Sequence, residues 1–144
     1  MSDKVYGVGV VGWGFMGKTH TFGYHTIPFF YSAPPINYVL KGVCVRRPET
    51  LDAAVREGKF EFGTTSFDEL LSRDDIDIIH VCTPNNLHRD QVVKAAEAGK
   101  HIYCDKPLGS SYAECQDMVA ALVNSSPKIV TQVALQYRFY PCTM

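Results

Sequence analysis

The chain has 144 residues, a formal net charge of −1 at pH 7, five Cys, eight Pro and eleven Gly. That length suits one domain able to bury roughly two thirds of its unfolded surface. An apolar share of 46% with 20% charged residues is globular composition and excludes a disordered or collagen-like chain. Near-neutral charge excludes a nucleic-acid or anionic-membrane partner, which needs clustered Lys and Arg. No run approaches the ~20 apolar residues of a membrane span. The first apolar stretch, Val5–Val11, is broken by Gly7 and Gly9 and lacks a small-residue cleavage site, so no signal peptide is expected. Cys44, Cys82, Cys104, Cys115 and Cys142 are odd in number, irregularly spaced and free of CxxC. They form neither a disulfide framework nor a zinc signature, which predicts buried reduced thiols and a cytoplasmic protein.

Val5–Val11 reads as a first strand and Phe15 to about Thr26 as a helix. A loop punctuated by Pro28, Pro34 and Pro35 leads to a strand at Tyr38–Val45. Glu49–Glu57 reads as helix and Phe60–Thr64 as a short strand. Ser66 and Glu69 have capping-box spacing and open a short helix to Ser72. A strand at Asp77–Cys82 and a helix at Asn86–Ala98 follow, with Gly99 placed as C-cap. His101–Cys104 is a strand, Ser111 and Glu114 cap a helix to about Val123, and Ile129–Ala134 is the last strand. Ile76–Val81 is mostly apolar rather than alternating, as in a parallel sheet covered on both faces. Six strands separated by helical crossovers predict a doubly wound α/β fold in the order 3-2-1-4-5-6, with a crevice at the carboxyl ends of strands one and four.

Gly12-Trp-Gly-Phe-Met-Gly17 matches GxGxxG, and so does Gly7-Val-Gly-Val-Val-Gly12. Only the Gly12 register follows a strand and opens a helix, the context a phosphate loop requires. Gly12 would permit the tight turn, Gly14 the approach of a pyrophosphate, and Gly17 close helix–strand packing. The free N–H groups at the start of the helix, from Phe15 and Met16 onward, would hold the phosphates, with Trp13 inside the loop. Strand two ends Val43-Cys-Val-Arg-Arg47 with no acidic residue before Glu49 to bond an adenosine ribose. Arg46, with Arg47, could accept a 2′-phosphate instead, which tilts the expected cofactor slightly toward NADP over NAD.

Strand four ends in Cys82-Thr-Pro-Asn-Asn-Leu-His88 and strand five in Tyr103-Cys-Asp-Lys-Pro107. With Gly12-Trp-Gly-Phe-Met-Gly-Lys-Thr-His20, these segments resemble the nucleotide-binding Rossmann half of the glucose–fructose oxidoreductase / inositol dehydrogenase / rhizopine-catabolism (Gfo/Idh/MocA) family, from Val5 to about Pro141. The resemblance implies hydride transfer between NAD(P) and a secondary alcohol of a sugar, polyol or inositol. It implies that Lys106 contacts both substrate hydroxyl and nicotinamide ribose, and that Thr83, Pro84 and Asn85 line the cofactor cleft. Asp105 stands where the family has Glu, one methylene longer. His88 matches a family histidine and is expected to meet substrate, with a helix-start imidazole bonded to backbone as the other reading. His20 and Tyr24, one turn apart on the first helix, have similarly open roles. A cis bond before Pro107 would aim Lys106 at the cleft.

The resemblance further implies a second α/β domain that covers the nicotinamide. Residues 1–136 are expected to form the dinucleotide-binding domain and 137–144 the start of a truncated substrate domain, Arg138 and Pro141 resembling the junction. Such a chain would bind cofactor, turn over poorly alone, and expose apolar surface favouring a homo-oligomer. The alternative is a non-catalytic dinucleotide-binding sensor or regulator, since the family includes a galactose-pathway repressor without dehydrogenase activity.

Overall fold

The computed structural model describes residues 4–34, 36–125, 128–140 and 142. Pro35 of the proline-punctuated loop and Pro141 of the expected junction lie outside them. The strands are β1 (Val5–Val11), β2 (Asn37–Cys44), β3 (Phe62–Thr64), β4 (Ile78–Val81), β5 (His101–Cys104) and β6 (Thr131–Val133). The helices are α1 (Phe15–Phe30), α2 (Leu51–Gly58), α3 (Phe67–Leu71), α4 (His88–Glu97) and α5 (Tyr112–Val123). All pairings are parallel and the order is β3-β2-β1-β4-β5-β6, the doubly wound order expected.

Alternation along each strand divides the core in two. Val8, Val10 and Val43 face one side with Ala54 of α2 and with Met16 and Tyr24 of α1. Val11, Ile79, Val81, Ile102 and Cys104 face the other with Leu70, Val92, Ala95 and Met118 from α3, α4 and α5. Period-two side-chain direction thus places Ile79 and Val81 under α3 and α4, and His80 and Cys82 on the face that α1 approaches.

Local chemistry explains where the elements differ from expectation. Helix α1 runs through Pro28 to Phe30 instead of stopping near Thr26. A proline has no N–H for the carbonyl four residues back, here that of Tyr24. The Tyr38 hydroxyl donates to that oxygen at 2.5 Å, so the helix continues without an orphaned acceptor. Ser66 Oγ accepts from Glu69 N–H as a cap should, but the Glu69 carboxylate bonds the Thr64 hydroxyl rather than reaching back to Ser66 N–H. Ser111 likewise caps Glu114 N–H, while Glu114 accepts from Ser110 N–H. Gly99 follows α4 at φ 69°, the left-handed conformation expected of a C-cap glycine.

Candidate functional site: the hollow at the carboxyl edge

The three loop glycines meet three different steric demands. Gly12 turns at φ 97°, and a Cβ there would lie 2.7 Å from the carbonyl oxygen of Cys82. Gly17 packs α1 against the strand so closely that a Cβ would lie 2.0 Å from Gly12 O. Gly14 has nothing within 4 Å of its Cβ position and borders open space. The competing register fails on the same test. Gly7 and Gly9 lie inside β1, where a Cβ on Gly7 would strike Asp75 O at 1.8 Å. The first turn of α1 carries no acidic residue and no side-chain cap, which leaves its N–H groups and the positive dipole end for an anion.

Beside this loop is a hollow of ≈ 600 Å³ at the point where the strand order reverses from β1 to β4. Gly12, Trp13 and Gly14 line it from the loop, Arg46 and Arg47 from beyond β2, and Thr83 and Pro84 from beyond β4. The lining fits a dinucleotide, since the open Gly14 border supplies the space and the helix terminus the donors. Trp13 packs edge-on against Phe60 at 5.7 Å between ring centroids, holding the loop over the α2 side. Arg47 Nε lies 3.8 Å from Glu49 Oε1.

Other expected site residues fall outside the lining. Phe15 is exposed at the helix start, Met16 packs into the α1–α2 core, and Gly17 is buried. Asn85 is exposed and donates from Nδ2 to Ser110 Oγ at 3.3 Å. Lys106 is exposed beyond the end of β5, after the buried Asp105, whose Oδ1 accepts the Lys106 N–H at 2.8 Å. The Lys106–Pro107 bond is cis.

His88, expected to meet substrate, is buried in this structure. Its side chain is 1% exposed, and its ring lies between two backbone carbonyls, Nδ1 3.0 Å from Pro107 O and Nε2 2.8 Å from Thr83 O. The ring therefore clamps the segment after β4 to the segment after β5 and presents no free nitrogen to the hollow.

Sequence reasoning missed two features. Lys18 lines the hollow, with Nζ 2.8 Å from Glu57 Oε2 and 5.6 Å from the Trp13 ring centroid. Its place directly after the third loop glycine was the available signal. The second is a buried polar group under α1. His20 and His80 pack with their rings tilted by 51° at 4.4 Å between centroids, and Tyr24 and Tyr103 meet the His80 ring edge-on. Burial, helped by neighbouring His20, pushes the His80 imidazole down to about 3, and burial lowers His20 against the opposing pull of Asp105. Burial likewise pushes the Cys44 thiol up to about 11 and the Cys104 thiol up to about 12, keeping both protonated. All five cysteines are free, with Cys142 exposed and Cys115 half-buried rather than interior as expected.

A parallel doubly wound sheet with a glycine loop at its reversal point defines a dinucleotide-binding domain. The family model described as "Oxidoreductase family, NAD-binding Rossmann fold" (GFO_IDH_MocA) matches residues 6–132, and the chain belongs to that family. It is 38% identical over 134 residues to levoglucosan dehydrogenase of Pseudarthrobacter phenanthrenivorans, covering 93% of this chain and 34% of the relative. The structure of a levoglucosan dehydrogenase in complex with NADH and levoglucosan superposes with TM-score 0.91 at 36% identity, covering 97% of this chain and 37% of that one. Scyllo-inositol dehydrogenase from Lactobacillus casei, with bound NAD(H) and scyllo-inositol, gives TM-score 0.80 at 25% identity over 96% of this chain and 38% of that one. The chain spans about a third of the length of these relatives. The findings define an NAD-binding oxidoreductase domain. Among the described residues no helix is long and apolar enough to cross a membrane.

Proposed function

We propose that this chain is the cofactor-binding part of an NAD(P)-dependent dehydrogenase acting on a secondary alcohol of a sugar, polyol or inositol. The observation that carries the reading is the Gly12–Gly17 loop, with open space at Gly14 beside an uncapped helix start. The α1 N–H groups would hold the pyrophosphate, and Thr83 and Pro84 would line the cleft toward the nicotinamide. The coenzyme, when bound, supplies the hydride acceptor or donor. Lys106 would hold the substrate oxygen, donating as an ammonium and taking the hydroxyl proton as an amine. Asp105 fixes the Lys106 backbone through its N–H. The absence of an acid on the last residues of β2, with Arg46 and Arg47 lining the hollow, supports a slight preference for NADP over NAD.

Residues 137–144 would begin a substrate domain, and the 144 residues would bind coenzyme without appreciable turnover, since one wall cannot hold an alcohol and exclude water. Phe22, Phe29 and Phe30 of α1 are exposed and support self-association as a homo-oligomer. Five free thiols, three of them buried, fit the reducing cytoplasm.

Trp13, the sole tryptophan, lies in the loop and makes a direct test possible. Titration with NADH and NADPH should change its fluorescence saturably. A flat response to both would overturn the loop assignment, and NADP-linked oxidation of a polyol by the purified chain would overturn its inactivity. In any longer form that turns over a polyol, Lys106→Ala should abolish turnover and weaken coenzyme binding by no more than the loss of one ribose contact.

A further inference from the structure

His80 and Cys82 are two residues apart at the end of β4 and share the face that α1 approaches, where His20 meets them. One ligand atom from each of His20, His80 and Cys82 lies within 4.8 Å of the other two. Both ring nitrogens of His80 and Nε2 of His20 are buried without a hydrogen-bond partner. His80 is 2% exposed, at a depth where Val10, its neighbour on β1, is a plain hydrophobe. Buried imidazole nitrogens are ordinarily paired, so three unpaired ones on two rings packed beside a thiol require an explanation.

We propose that His20, His80 and Cys82 bind a zinc ion beneath α1. Two imidazoles and a thiolate suit a borderline transition ion and exclude the oxygen-seeking Mg²⁺ and Ca²⁺. Tetrahedral Zn²⁺ bonds of about 2.0–2.3 Å leave ligand atoms roughly 3.3–3.6 Å apart, so small side-chain rotations close the site. On binding, the Cys82 S–H bond breaks, its proton passes to solvent and the sulfur electron pair forms the metal bond. Nothing is oxidised or reduced. The ion and thiolate together leave one positive charge at the site. Half-exposed His20 provides the entry side, and water takes the fourth position. Because Cys82 also lines the coenzyme hollow, the ion would tie the end of β4 to the phosphate-binding helix.

The metal-free chain, carrying Cys115→Ser and Cys142→Ser to remove the other accessible thiols, is titrated with Co²⁺ and followed by absorption. One equivalent should bind with a thiolate-to-cobalt charge-transfer band, which Zn²⁺ displaces. Cys82→Ser should lose that band. His20→Gln, at a partly exposed position and with folding checked by thermal melting, should weaken Co²⁺ binding by at least about 100-fold, the upper end of what losing a mere supporting residue costs. Absence of the band overturns the site, as does a band that persists in Cys82→Ser. So does Co²⁺ binding in His20→Gln as tight as in the parent.

Discussion

The carbonyl oxygen of Gly12 lies 2.0 Å from where a Cβ on Gly17 would stand, so backbone meets backbone across the phosphate loop. Alanine at a helix interior normally adds about 1 kcal/mol of helix stability over glycine. At position 17 that gain is outweighed, because neither backbone can move without displacing the helix from the strand. Gly17→Ala should lower stability by about 1–3 kcal/mol, read by thermal melting, and abolish the Trp13 response to coenzyme. Gly14→Ala is the contrasting case, with open space at its Cβ position. It should melt like the parent and still bind coenzyme at least about tenfold more weakly, a loss of roughly 1.4 kcal/mol.

Arg46 and Arg47 border the hollow where an acidic residue would otherwise bond the ribose. Arg46→Ala should weaken NADPH binding about 10- to 100-fold, as expected for loss of a charge-assisted hydrogen bond of about 1.5–3 kcal/mol, and leave NADH affinity unchanged. Equal loss for both coenzymes in fluorescence titrations would remove the 2′-phosphate reading.

The sheet order was legible because each β4-like run of apolar residues fits only a strand covered on both faces, and right-handed crossovers leave few arrangements. Gly12, Gly14 and Gly17 were legible because their demands are local. What stayed hidden depended on groups distant in sequence. Continuation of α1 through Pro28 needed Tyr38, ten residues on, to take the freed carbonyl of Tyr24. The position of His88 depended on two carbonyls, one of them nineteen residues away, at Pro107. His20 and His80 are sixty residues apart, and only the packing of α1 on β4 joins them.

Asp77 ties the start of β1 to β4, its Oδ2 accepting Gly7 N–H at 2.9 Å and its Oδ1 2.6 Å from Lys4 Nζ. Partial burial raises its carboxyl pKa, but Lys4 and the Gly7 N–H outweigh this and hold it below the usual value. The folded pKa is therefore below the unfolded one. The stabilisation is present at neutral pH and is lost as pH falls through the folded pKa. Asp77→Asn should lower stability by about 1 kcal/mol at pH 7, an exposed ion pair contributing little of it. The gap between parent and variant in denaturant melts should narrow below pH 4, around and under the ordinary carboxylate range.

His88 provides the sharpest separation between holding the site and meeting the substrate. Both ring nitrogens contact carbonyls, those of Thr83 and Pro107, and these two segments flank the residues proposed to line the cleft and hold the substrate oxygen. His88→Leu fills a similar volume but removes the ring N–H from the carbonyl that accepts it, leaving that acceptor unpaired at about 1–3 kcal/mol. Melting temperature should fall clearly, and coenzyme affinity should fall with it as Thr83 and Pro84 lose their anchor. His88→Asn, whose amide can still donate to one of the carbonyls, should recover part of both. A side chain used only for substrate would behave in the opposite way, with stability and coenzyme binding intact in both variants. That pattern in paired melting and fluorescence experiments would return His88 to the substrate side of the cleft.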